Sequence, residues 1–182
     1  MGAYVDTNVI LARYILSDPH NDSCRKFFEQ TEMERLGSSL SLLELSCVYS
    51  RLLEAKEIDV PRRIEVLLSE LSHEEKVRGL LEYTLRDCNL KITDVDPIPL
   101  TISLLGSPTR VSHIYLKALS LASQLRLKTL DTLHLAHASC LKDEGVQIEY
   151  LVTNDVEILA KREQISQILQ GRVLSAEEAL TL

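Results

Sequence analysis

The sequence predicts an α/β fold: three layers, α/β/α, around a central parallel sheet. Short apolar runs, "AYV" at Ala3–Val5, "LKITDV" at Leu90–Val95 and "IEYLVT" at Ile148–Thr153, alternate with longer stretches whose apolar residues recur at helical spacing. Strands that alternate with helices imply a parallel sheet covered on both faces. The 182 residues, 45% hydrophobic and 26% charged, suit one globular domain spanning 1–182.

Ala3–Val5 is the first strand, and "DTN" turns into a helix over Val9–Leu16. "SDPHNDS" breaks the pattern with several capping residues before a second helix over Asp22–Arg35. "RLGSS" is a short second strand. Leu42, Leu45, Tyr49, Leu52 and Leu53 then line one side of a helix over Leu40–Lys56. Asp59 and Pro61 suit an N-cap and first helical position, and Ser72 with Glu75 forms a capping box for the next helix. These two helices follow one another without a strand, so about 57–90 reads as an α-helical insertion. After the third strand, "LKITDV", Ser107 and Pro108 suit another helix start, with a stripe of Val111, Ile114, Tyr115, Ala118, Ala122 and Leu125. "KTLDTLHLAHASCL" is a further helix and "IEYLVT" the fourth strand. "NDVEILAKR" (short helix), "RVLS" (strand) and "SAEEAL" (turn) close the chain.

Composition excludes several classes. A net charge of −7 argues against a protein that coats nucleic acid through a basic surface. It leaves room for a site where metal ions neutralise phosphates. Cys24, Cys47, Cys88 and Cys140 are widely spaced, as separate reduced thiols in a cytoplasmic protein would be. No signal-peptide pattern opens the chain and no apolar run is long enough to span a bilayer, so no membrane partner is expected.

Four acids stand out. Asp6 follows the first strand, Glu44 lies in the first turn of the helix after the second, Asp131 opens its own helix, and Asp155 follows "YLVT". Each has an ordinary reading: Ser41-x-x-Glu44 matches a capping box, Thr129 suits the cap of the helix carrying Asp131, and Thr153 or Asn154 that of the helix carrying Asp155. Together they mean more. Strand-to-helix turns of a parallel sheet gather at its carboxyl edge, where such folds bind ligands. Carboxylates collected there repel one another unless a cation sits among them. An all-oxygen donor set suits a hard divalent ion, Mg²⁺ or Mn²⁺. Asp131, His134 and His137 fall at i, i+3 and i+6, and i and i+6 are too far apart around a helix for a shared transition-metal site; one histidine is expected beside the acids and the other in solvent.

"YVDTNVIL", "SLSLLELSCVYSR", "LDTLHLAHA" and "LVTND" resemble, in order, the four signature blocks of the PIN-domain nucleases. The resemblance implies a PIN-like fold in which Asp6, Glu44, Asp131 and Asp155 are the catalytic, metal-binding acids. Asn8 and Thr153 match supporting positions that orient carboxylates or water. It further implies an endoribonuclease that uses Mg²⁺ or Mn²⁺ to hydrolyse phosphodiester bonds of RNA. Two roles follow by resemblance: RNA processing, or the toxin of a toxin–antitoxin pair restrained by a small antitoxin protein. A homodimer is a further expectation of the same kind. The alternative is a catalytically weak PIN-fold RNA-binding or scaffold subunit.

Overall fold

The computed structural model describes residues 1–182 apart from 56, 97 and 105. Among these residues the strands are β1 (Gly2–Val5), β2 (Glu34–Gly37), β3 (Leu90–Ile92), β4 (Pro99–Leu104), β5 (Ser107–Ser112), β6 (Tyr150–Val152) and β7 (Arg172–Leu174). The helices are α1 (Thr7–Ala12), α2 (Asn21–Gln30), α3 (Ser39–Ala55), α4 (Arg62–Ser69), α5 (His73–Asp87), α6 (His113–Leu125), α7 (Thr129–Asp143), α8 (Val156–Ala160), α9 (Arg162–Leu169) and α10 (Ala176–Ala179). No helix among the described residues is long and apolar enough to cross a membrane.

β1 is buried along its whole length because its alternate side chains serve two cores. Ala3 and Val5 pack into one, Tyr4 into the other. Tyr150 and Val152 of β6 join the first core and Leu151 the second; Leu174 and Val173 of β7 divide in the same way. Val9, Phe27, Leu45, Leu68, Leu80 and Ala176 bring α1 to α5 and α10 onto the first face. Leu121, Leu135, Ile158 and Ile165 bring α6 to α9 onto the second. The result is a three-layer α/β/α fold. Leu68 and Leu80 place α4 and α5 within the first core, so these back-to-back helices help cover the sheet.

The central sheet has the order β3-β2-β1-β6-β7, and every pairing in it is parallel. From β1 the chain steps outward to β2 and β3, then crosses to the other side for β6 and β7. The direction reverses between β1 and β6. A crevice opens outside the carboxyl ends of strands at such a switch point.

Several boundaries differ from the sequence expectations. The first helix runs Thr7–Ala12 rather than Val9–Leu16, and the second ends at Gln30. The third ends at Ala55 within the described residues; its expected end, Lys56, lies outside them. The third strand stops at Ile92, which leaves Asp94 in the following loop. The largest difference is at Ser107–Ser112. This segment is a strand, paired antiparallel with Pro99–Leu104 around a turn in which Gly106 has φ +82°. Pro108 is accommodated because a two-stranded ribbon has open edges that tolerate a missing N–H. The helix expected from Ser107 begins at His113.

Candidate active site

Asp6 is delivered by the end of β1. Its backbone N–H donates to Val152 O at 2.9 Å, one bond beyond the β1–β6 register, which sets Asp6 beside Thr153. The carboxylate is buried, and its Oδ2 accepts from Thr153 Oγ1 at 2.7 Å and Asn8 Nδ2 at 2.8 Å. Thr153 Oγ1 accepts in turn from Asn8 Nδ2 at 3.1 Å and from the Asp155 backbone N–H at 3.0 Å. Asn154 donates its backbone N–H to Asn8 Oδ1 at 3.1 Å. Asn8 and Thr153 therefore tie the Asp6 carboxylate to the loop that carries Asp155. Burial pushes the Asp6 carboxyl up, and the Glu44 charge adds to it; His134, Thr153 and Asn8 oppose the rise without cancelling it.

Glu44 does not form the expected capping box. Ser41 Oγ accepts instead from the Ser38 backbone N–H at 3.3 Å, and Glu44 Oε2 pairs with His134 Nε2 at 2.6 Å. Burial alone would raise the Glu44 carboxyl; the His134 hydrogen bond, Thr7 and the His134 charge together outweigh it and hold the group below the usual range.

Asp131 lies in the first turn of α7. Thr129 is the first residue of that helix rather than its cap, a position held by Lys128. Asp131 Oδ2 is buried with no hydrogen-bond partner among the described residues. Burial, then the negative charges of Asp155 and Asp6, push this carboxyl up to about 6. Asp155 is itself the N-cap of α8: its Oδ1 accepts from the backbone N–H groups of Glu157 at 2.7 Å and Ile158 at 3.1 Å. Neither Thr153 nor Asn154 caps that helix. Thr153 is turned to Asp6, while Asn154 donates to Cys24 Sγ at 3.1 Å and accepts from the Ala176 N–H at 3.1 Å.

Asp131, Asp155 and Glu157 each offer an oxygen within 4.8 Å of the others. Asp6 and Glu44 stand outside this triad but within its field: Asp6 raises Asp131, and Glu44 raises Asp6. Glu157 and Asp94 were not singled out by the sequence pattern, and which histidine lies beside the acids was left open. Glu157 follows Asp155 by two residues, so a D-x-E pair at a strand end was the available signal. His134 is the histidine beside the acids. Asp94, at the carboxyl edge after β3, accepts from the Ser39 N–H at 2.9 Å and pairs with His137 Nε2 at 3.2 Å. His137 is thus buried rather than solvent-facing, because both histidines lie on the inner side of α7.

A family profile for the PIN domain matches residues 3–104, more than half of the chain. The chain belongs to the PIN domain family. The matched span carries Asp6 and Glu44, and Asp131 and Asp155 lie beyond it. No curated protein matches the chain. PIN domains are in general nucleases that use divalent metal ions, and the parallel five-stranded sheet between helical layers is this fold. The donor set of this PIN domain fits such an ion. All three triad groups present hard carboxylate oxygens, and oxygens bound to one ion at about 2.0–2.6 Å lie at most about 5 Å apart. The orphaned Oδ2 of Asp131 is a buried acceptor that a cation would satisfy.

Proposed function

We propose that this PIN domain is an endoribonuclease that cleaves single-stranded RNA with Mg²⁺ or Mn²⁺. The observation that carries the reading is the buried, unpartnered oxygen of Asp131 within a carboxylate triad at the sheet's switch point. Asp131, Asp155 and Glu157 would hold one ion, and Asp6 and Glu44, the further metal-binding acids that the family resemblance implies, would complete the ligand set. A bound divalent cation lowers the pKa of a water and offsets charge on the reacting phosphate. The chain's own groups prepare the site. Asn8 and Thr153 both bond Oδ2 of Asp6, so Oδ1 would be the oxygen open to an ion. Asp155 uses Oδ1 for the α8 cap, so Oδ2 would be its oxygen for the ion.

Next to the acids lies a cleft of ≈ 410 Å³ lined by Asn8, Asp18, His20, Lys128, Asp155 and Glu157. Lys128 Nζ is 3.8 Å from Glu157 and is the cation best placed in this cleft to meet a phosphate. An open cleft favours a flexible single strand, whose phosphates can reach recessed groups, over a rigid duplex. Under this reading the cellular role is RNA processing or toxin action, the latter with a small antitoxin that covers the cleft.

The test is cleavage of labelled single-stranded RNA. Activity with Mg²⁺ or Mn²⁺ is expected to stop in EDTA and to fall at least about 10²-fold in Asp6→Asn. Native protein that leaves varied RNAs intact and binds neither ion by calorimetry would instead make the fold an RNA-binding scaffold.

A further inference from the structure

We infer that His134 is a positioning residue for Glu44, held in register by a buried hydrogen-bond relay through Tyr4 and Ser38. The inference rests on the metal-site reading above and adds a residue to it. Four groups form one chain: Ser38 Oγ to Tyr4 OH at 2.9 Å, Tyr4 OH to His134 Nδ1 at 3.0 Å, and His134 Nε2 to Glu44 Oε2 at 2.6 Å. Tyr4, Ser38 and His134 are each at most 4% exposed, so water does not compete for these bonds. A carboxylate only accepts, so Nε2 carries the hydrogen toward Glu44. In the neutral ring Nδ1 accepts from Tyr4 O–H and Ser38 O–H donates to the Tyr4 oxygen; in the protonated ring, which the neighbouring carboxylates favour, Nδ1 donates to the Tyr4 oxygen and Tyr4 O–H donates to Ser38.

The placement of these groups gives the relay its purpose. Leu45 and Tyr49 root α3 in the core on the first face of the sheet. Leu135 and Ala136 root α7 in the core on the second, and Tyr4 reaches that same core from β1. The His134–Glu44 bond therefore joins helices from opposite layers, over the carboxyl edge where Asp6 emerges. Without it, the half-buried Glu44 side chain would lose the bond that fixes its rotamer. With it, the Oε2 position is fixed by the strand next to Asp6. Bonds that orient a ligating carboxylate in this way are typically worth about 10–100-fold in metal affinity.

The experiment measures Mn²⁺ affinity by calorimetry, well below each variant's melting temperature, for the native chain, His134→Leu, His134→Gln and Tyr4→Phe. Gln can place an amide N–H where Nε2 stands and still donate to Glu44; Leu fills the space and donates nothing. His134→Leu is expected to bind Mn²⁺ at least about tenfold more weakly. His134→Gln should remain within about threefold of native, and Tyr4→Phe should fall between, since it loosens the ring without removing it. A purely structural histidine would lower the melting temperature and leave the dissociation constant unchanged in folded protein. Equal affinity across the folded variants overturns the inference, as does an equal loss in the Leu and Gln variants. If His134→Leu fails to fold, Tyr4→Phe decides alone, and native-like affinity there is fatal. Native protein that binds no Mn²⁺ would sink the metal-site reading itself, a distinct outcome.

Discussion

Asp131 carries the clearest conflict between stability and function in the molecule. Burial and the charges of Asp155 and Asp6 lift its carboxyl to about 6, so the metal-free folded chain binds a proton there more tightly than the unfolded chain does. The sign follows. Between about pH 4 and 6 the folded state holds the extra proton, and stability in EDTA falls as pH rises through that window, then levels off. The full rise would amount to about 3 kcal/mol. Solvent screening of a half-buried carboxylate leaves about 1 kcal/mol. Asp131→Asn removes the repulsion. At pH 8 in EDTA it is expected to melt about 2–4 °C above the native chain and to gain nothing from added Mn²⁺, in a thermal melt with and without the ion. A lower melting temperature in EDTA would mean that Asp131 makes a stabilising contact instead. Asp6 and Asp155 stood out in the sequence because each follows a predicted strand, Glu44 and Asp131 because each lies in the first turn of a predicted helix, and all four because they fall in the blocks that resemble the family's signature. Glu157 was not, since an acid in the first turn of a helix is what the macrodipole favours anywhere. The His134 and Asp94 roles were hidden for another reason: both depend on which helix faces cross the sheet edge, and one chain segment does not encode that.

The helix and strand ends show what local patterns can specify. The Ser72–Glu75 capping box forms as its spacing predicts, with Ser72 Oγ accepting from the Glu75 N–H and Glu75 accepting from the Ser72 N–H. The Ser41–Glu44 pair has the same spacing but no such box, because His134 offers Glu44 a better partner across the sheet edge. Ser107–Pro108 misled for a related reason. A small polar residue followed by proline opens helices, but proline also suits an open strand, and Val111 fits either period. The stronger signal was the alternation of Leu100 and Ile102 up to Gly106, where the backbone must take a positive φ. Asp155 joins an element's integrity to the site, since it caps α8 and faces the triad with one side chain. Two substitutions separate these roles. Asn caps nearly as well as Asp, so Asp155→Asn should melt close to native yet lose ion binding. Asp155→Ala should lose ion binding and also about 1 kcal/mol of stability, read by urea unfolding. Equal destabilisation in both variants would show that the charge, not the cap, holds α8.

The net charge of −7 bears on how this molecule meets a polyanion. A nuclease that grips RNA through lysines and arginines releases many counterions, and one making 6–10 phosphate contacts loses about 10³–10⁵ in affinity between about 50 and 200 mM salt. Among the described residues that line the cleft, Lys128 is the one lysine or arginine. Lys128 stands at the cleft but pairs with Glu157, and Arg13, the C-cap of α1, is occupied by Asp87 at 2.8 Å. The acids at the sheet's switch point would repel RNA outright in the absence of a cation. Divalent ions held by the carboxylates would then supply the attraction, with few lysine or arginine contacts behind it. The affinity should accordingly depend on the ion and only weakly on monovalent salt. With a non-hydrolysable single-stranded RNA analogue and saturating Mn²⁺, binding is expected to weaken less than about tenfold between about 50 and 200 mM KCl. In EDTA it should vanish at every salt concentration. A steep loss with KCl together with indifference to EDTA would locate the RNA on a basic surface away from the acids. The carboxylate cluster would then be a site without its substrate, and the switch-point crevice would no longer explain why Asp6, Asp131 and Asp155 are brought to one edge of the sheet.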